Sequence, residues 1–182
     1  MIKLKTASIL LMTGLFLIAS SAQSAVPRDP YKFFFTETFG DLTEDLDIAK
    51  EQGKKAVFVF FEMDECPFCH RMKQTVLNQP EVQDYFREHF HNLSIDIEGD
   101  VEIVDFKGNN DTMKDWAAKK HRVRATPMMA FFDLEGNRIS KFVGAAANIQ
   151  EFLWYGEFIV SGAYKDMRFS KYKRARQKAE AN

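Results

Sequence analysis

Lys55-Ala56-Val57-Phe58-Val59-Phe60-Phe61-Glu62-Met63-Asp64-Glu65-Cys66-Pro67-Phe68-Cys69-His70 is the stretch on which the fold turns. Ala56 to Phe61 is a continuous apolar run, short and partly β-branched, which reads as a strand buried on both faces. Four polar or flexible residues follow, and Pro67 then stands where a helix would begin, a position proline favours. The pattern predicts a helix from Pro67 to about Asn78, broken or kinked at Pro80.

That placement gives the two cysteines their chemistry. A thiolate, not a thiol, attacks a disulfide. A helix N-terminus offers unpaired N–H groups and roughly half a positive charge, which favour the anion. Cys66 is placed to feel this most and is expected to stay exposed, whereas Cys69, almost one turn in, is more sheltered. Cys66 is therefore the expected attacking thiol and Cys69 the resolving one. The chain has no other cysteine. A bridge across so short a loop removes little unfolded-chain entropy, so reactivity is the better reason for the pair.

Outward from this centre, Asp41 to Gly53 has helical spacing through Leu42, Leu46 and Ala49. Upstream, Val26 to Phe39 is an entry segment whose Phe33, Phe34 and Phe35 are expected as core or edge strand. Downstream, Glu81 to His89 reads as helix and Asn92 to Ile97 as strand. Gly99 to Asp111 is a polar excursion with a small hairpin expected around Lys107-Gly108-Asn109. Thr112 to Arg122 reads as helix, then Thr126-Pro127 opens the strand Met128 to Phe132. A turn at Leu134-Glu135-Gly136-Asn137 leads into the strand Arg138 to Val143, and Asn148 to Ser161 is the last clear helix. The order β, α, β, α, β, β, α fits an α/β fold: a central mixed sheet with helices on both faces.

At this point the chain resembles the thioredoxin superfamily, from about Asp41 to Phe158. The resemblance rests on Cys66-Pro67-Phe68-Cys69 after a buried strand and on Ala125-Thr126-Pro127 before a second one. It implies a thioredoxin fold, with a cis Thr126–Pro127 bond facing the cysteines and with Pro67, Phe68, His70, Thr126 and Pro127 as supporting site residues. More narrowly, the chain looks like periplasmic thioredoxins of the sulfur-oxidation type. Phe61-Glu62, Met72, Asn78-Gln79-Pro80-Glu81-Val82, Ile97-Glu98-Gly99-Asp100 and Val104-Asp105-Phe106 carry that likeness. The resemblance implies a reductant of protein disulfides fed by a membrane electron donor. Two features depart from it. Pro67-Phe68 replaces the usual Gly-Pro, and Phe60 stands six residues before Cys66, where a buried acid is usual. Glu62 is the nearest substitute, with a solvated side chain as the alternative reading, and these departures leave oxidant, reductant and isomerase directions open.

Two other chemistries share the motif. Cys66-Pro67-Phe68-Cys69-His70 literally matches the C-x-x-C-H haem attachment pattern, and a dithiol with His70 or Met63 nearby could carry a soft metal such as copper. The preceding strand, Pro67 and the downstream Thr126-Pro127 favour a redox pair with no prosthetic group and no metal.

The first residues read as a leader. Lys3 and Lys5 precede the uncharged, mostly apolar stretch Ala7 to Ser20, and small residues follow to Ala25, the order of a secretory signal peptide over 1–24 cut between 22 and 25. The apolar run falls short of the roughly 20 residues that span a bilayer. A periplasmic location is expected, with a thioredoxin-like domain over 26–162 and a basic C-terminal tail over 163–182. Without the leader, 23 basic residues face 26 acidic ones; Lys165 to Asn182 carries seven basic residues against Asp166 and Glu180, so the tail is +5 and the body −8. Such asymmetry points to contact with an acidic partner or a membrane surface, although a chain end is usually loose unless docked. The near-neutral total, with no phosphate loop or RNA-binding aromatic motif, argues against nucleic acid as a partner.

Overall fold

In the computed structural model residues 26–181 are described, so the expected leader at 1–24 lies outside them. A short helix α1 (Pro30–Phe33) and helix α2 (Leu42–Glu51) precede strand β1 (Ala56–Glu62). Helices α3 (Pro67–Thr75) and α4 (Pro80–His89) lead to β2 (Phe90–Asp96). A small hairpin, β3 (Glu102–Val104) and β4 (Asn110–Thr112), is followed by α5 (Met113–Asp115), β5 (Met128–Phe132), β6 (Arg138–Val143), α6 (Ile149–Val160) and α7 (Phe169–Glu180).

The main sheet has the order β2-β1-β5-β6, with β1 parallel to β2 and the β1/β5 and β5/β6 pairs antiparallel. Every residue of β1 is buried, as its unbroken apolar run requires. Alternation divides the core in two. Phe58 and Phe60, with Met129 and Phe131, meet α3, α4 and α6; Val57, Val59 and Phe61, with Met128, Ala130 and Phe132, meet α2 and Trp116. Aromatic rings fill the first layer: Phe86 stacks on Phe152 at 4.3 Å, and Phe34 lies 5.7 Å from Phe58. Gly156 permits the close approach of α6 to α4, since a Cβ there would lie 2.8 Å from the Tyr85 ring.

Several expectations shift in detail. Phe34 and Phe35 are core, but the segment forms no strand: Asp29 accepts the Tyr31 N–H at 2.9 Å and Pro30 opens one helical turn, a cap-and-proline start. Helix α3 ends at Thr75, and Pro80 does not break it but begins α4 as its first residue. The expected helix over Thr112 to Arg122 is one helical turn followed by a wide π turn over Trp116–Lys120, with Arg122 at φ 54°. That widening accompanies the seating of Trp116 against Phe61, Phe106 and Phe132, at 5.5, 5.6 and 5.9 Å.

The tail is not loose. Phe169 of α7 packs on Tyr155 at 4.8 Å and on Phe142 and Phe158, while Tyr172 meets Phe158 at 5.4 Å. Lys173 bonds the buried Glu151 at 2.7 Å, and Arg176 pairs with Glu157 at 3.0 Å. A helical period that places Phe169, Tyr172, Lys173 and Arg176 on one face explains the docking. No helix among the described residues is long and apolar enough to cross a membrane.

Candidate active site

Strand β1 delivers the chain to a short turn, and Cys66 closes that turn as the N-cap of α3. Its Sγ accepts the backbone N–H of Cys69 at 3.0 Å. Pro67 supplies the first helical φ and has no N–H to leave unsatisfied. Cys66 and Cys69 are joined as a disulfide, with Cα atoms 5.2 Å apart.

Burial corrects one expectation. Cys66 is not exposed: it is 2% accessible, against 0% for Cys69. As the cap it folds back over the first turn toward the Cys69 N–H and sulfur, and the tip of the motif is left to Pro67 and Phe68. Phe68 is 56% exposed and carries the Arg71 guanidinium 5.2 Å from its ring centroid. His70 is exposed, and its Nε2–H donates to the Asp64 carbonyl at 2.8 Å. It thus ties the turn before Cys66 to the first turn of α3.

The Thr126–Pro127 bond is cis and Pro127 is buried. Met128 lies opposite Phe61 in the β1/β5 register, so Pro127 comes level with Glu62, at the end of the sheet from which the Cys66 turn leaves. Gly144 N–H holds the Pro127 carbonyl at 2.8 Å. Cys66, Pro67, Phe68, Cys69, Thr126 and Pro127 therefore share one end of the molecule.

The sequence did not reveal the polar network beside them. Glu62 is not solvated: it is 7% accessible, bonds Lys73 Nζ at 2.5 Å, and accepts from Ser94 Oγ at 2.5 Å and Tyr31 OH at 3.3 Å. Lys73 also donates to Tyr31 OH at 2.7 Å. Burial works against the Lys73 charge, but the hydrogen bonds to Glu62 and Tyr31 outweigh it and raise its pKa above the ordinary 10.5. One signal was available: Lys73 follows Cys69 by one helical turn, on the same face of α3. Phe60 is fully buried in the same apolar layer as the cysteines, so no acid occupies that position. Among the described residues no group of three or more His, Cys, Asp or Glu is arranged to hold a metal ion.

The profile of the Thioredoxin-like domain family matches residues 42–159. The chain belongs to this thioredoxin-like family. Among solved structures it is similar to a thioredoxin-fold protein from Helicobacter pylori, at 27% identity and TM-score 0.55, over 70% of this chain and 82% of that one. A proposed disulphide-isomerase from Bacteroides thetaiotaomicron matches at 26% identity and TM-score 0.52, over 70% and 95% of the two chains. A thioredoxin from Thermus thermophilus, at 21% identity, TM-score 0.55 and coverage of 70% and 88%, shares the fold. No curated protein sequence matches the chain. A thioredoxin-like domain that places a C-x-x-C pair at disulfide distance supports thiol–disulfide oxidoreductase chemistry in general terms.

Proposed function

We propose that this protein is an exported thioredoxin-like reductant of protein disulfides, with Cys66 as nucleophile and Cys69 as resolving thiol. The observation that carries the assignment is the Cys66 Sγ accepting the Cys69 N–H at the start of α3. In the reduced protein the same donor and the helix N-terminus favour a thiolate on Cys66. That thiolate attacks one sulfur of a partner's disulfide; the partner's S–S bond breaks, and the departing thiolate takes up a proton. Cys69, once deprotonated, attacks Cys66 Sγ and releases the partner's second thiolate, which is protonated in turn. Two electrons and two protons pass from the dithiol to the partner, and the Cys66–Cys69 disulfide remains. A dithiol donor must then reduce it; by the resemblance this is a membrane electron carrier.

Export by the leader over 1–24 into the periplasm fits a protein whose cysteines cycle through a disulfide, since that bond persists in oxidising compartments. The finer placing among thioredoxins of the sulfur-oxidation type is supported by the sequence features given above. The basic segment over 163–182 would bring the acidic body to an anionic membrane face or an acidic partner, each basic residue not already paired within the fold contributing about 1 kcal/mol at a membrane.

The roles are tested by trapping. Cys69→Ser should accumulate mixed disulfides with partner proteins and Cys66→Ser should not; trapping by the Cys66 variant alone would reverse the assignment. The potential of the couple, measured against glutathione, tests the direction. A value as reducing as the roughly −270 mV of thioredoxin supports a reductant, and one near −120 mV marks an oxidant.

A further inference from the structure

We propose that the groove between the outer edge of β6 and helix α7 docks an extended, acidic segment of a partner protein, which adds to β6 as a further strand. This rests on the reading that Cys66 and Cys69 act on protein disulfides, and it concerns how a partner is held.

Strand β6 is outermost in its sheet and pairs with β5 alone among the described residues. Its outward N–H and C=O groups have no backbone partner there. Such a row of groups is a template for another strand. Ile139 to Val143 form one wall of a groove of about 530 Å³, and Met167 to Ser170 form part of the other, with Phe142, Phe158 and Phe169 among the apolar lining. The β6 wall lies within the family match and the α7 wall beyond residue 159, where that match ends.

Charge selects the occupant. Both Lys141 on the strand and Arg168 at the start of α7 are exposed: Arg168 lines the groove wall, and Lys141, opposite Ala130 in the ladder, presents its charge on the other face of the same strand edge. Neither enters an ion pair among the described residues, whereas Lys173 is already held by Glu151. A second copy pairing edge to edge would bring Arg138 and Lys141 against the same cations, and like charges across strands are destabilising. An acidic strand meets the opposite condition. Geometry gives the docking a purpose: Val143 lies opposite Met128, next to cis Pro127, and Gly144 bonds the Pro127 carbonyl. A strand laid on β6 therefore runs to the end of the molecule that holds Cys66.

The test uses full-length mature protein carrying Cys66→Ser and Cys69→Ser, so that binding is read without redox chemistry. The probe is a synthetic peptide alternating glutamate and valine, and a control has alternate backbone nitrogens methylated. The unmodified peptide should bind with an affinity that falls with salt and should shift the β6 backbone amides in NMR spectra. The methylated peptide should not bind. Lys141→Glu combined with Arg168→Glu, checked for an unchanged melt, should weaken binding at least tenfold. No binding, equal binding of the methylated peptide, equal binding by the reversed-charge variant, or shifts that spare β6 would each overturn the proposal. So would protection of the β6 amides in concentrated protein alone, which would make a second copy the occupant. Reduction of a small aromatic disulfide by the unmodified protein is measured separately: failure there sinks the redox reading and leaves the peptide result to decide the docking.

Discussion

Glu62 and Lys73 bring two charges out of water a short way from the cysteines, with side chains only 10% and 13% exposed. Attraction within such a pair does little more than offset desolvation, so its presence is weak evidence of stabilisation; loss of one partner is another matter, because the other charge stays buried. Lys73→Met should therefore destabilise the fold by about 3 kcal/mol, the lower end of the usual range, since Ser94 and Tyr31 still bond Glu62. The double variant Glu62→Gln/Lys73→Met should recover most of that loss. Urea denaturation checks both, and a single-variant loss under about 1 kcal/mol would class the pair with surface bridges. Because the Lys73 pKa is raised on folding, its contribution is complete below about pH 10.5 and is lost only as pH climbs beyond that. The pairing of Cys66 with Cys69 was legible in their spacing after a buried strand, and the cis bond before Pro127 only through the family resemblance. The burial of Glu62 was not, because Tyr31 and Ser94 lie 31 and 32 residues away.

Among the elements, strands and long helices were legible wherever apolar period and caps agreed: β1, β5, α2 and α6 fall within a residue or two of their expected bounds. The segment after β4 was not, because a π turn has no distinct sequence period. Its exit residue His121 is packed against Trp116 at 4.4 Å and Phe132 at 5.0 Å. Burial first, then the positive charge of Arg138, pushes the His121 pKa down to about 4 from 6.5, with Asp105 pulling weakly the other way. The folded protein therefore keeps this imidazole neutral where the unfolded chain begins to protonate. Stability from this group is complete above about pH 6.5 and declines as pH falls toward 4. His121→Phe keeps an aromatic ring and removes the titration. Thermal melts at a series of pH values should show the parent losing Tm more steeply than the variant between pH 6.5 and 4; parallel curves would mean that His121 is not the group responsible.

Across the whole molecule, charge is distributed so that one helix carries most of the positive excess, and the docking of α7 changes what its removal would do. Lys173 and Arg176 face inward to Glu151 and Glu157, while Lys171, Arg174 and Lys178 are exposed along the outer face. Truncation after Tyr164 would remove two part-buried rings, Phe169 and Tyr172, and uncover Tyr155 and Phe158. Full burial of one such side chain is worth about 1.5–3 kcal/mol, so the loss should be about 2–4 kcal/mol, seen as a lower urea midpoint. Reversing Lys171, Arg174 and Lys178 to Glu touches no packed group and should leave the midpoint nearly unchanged, since exposed substitutions usually stay within about 0.5 kcal/mol each. The two variants separate support from attraction. If the outer face draws the protein to anionic vesicles, the reversed-charge variant should lose that salt-sensitive binding while keeping the parent's stability. If parent and variant bind such vesicles equally at low salt, the stripe is only a solvated face, and α7 acts through its inner side, by covering the aromatic core and walling the groove along β6.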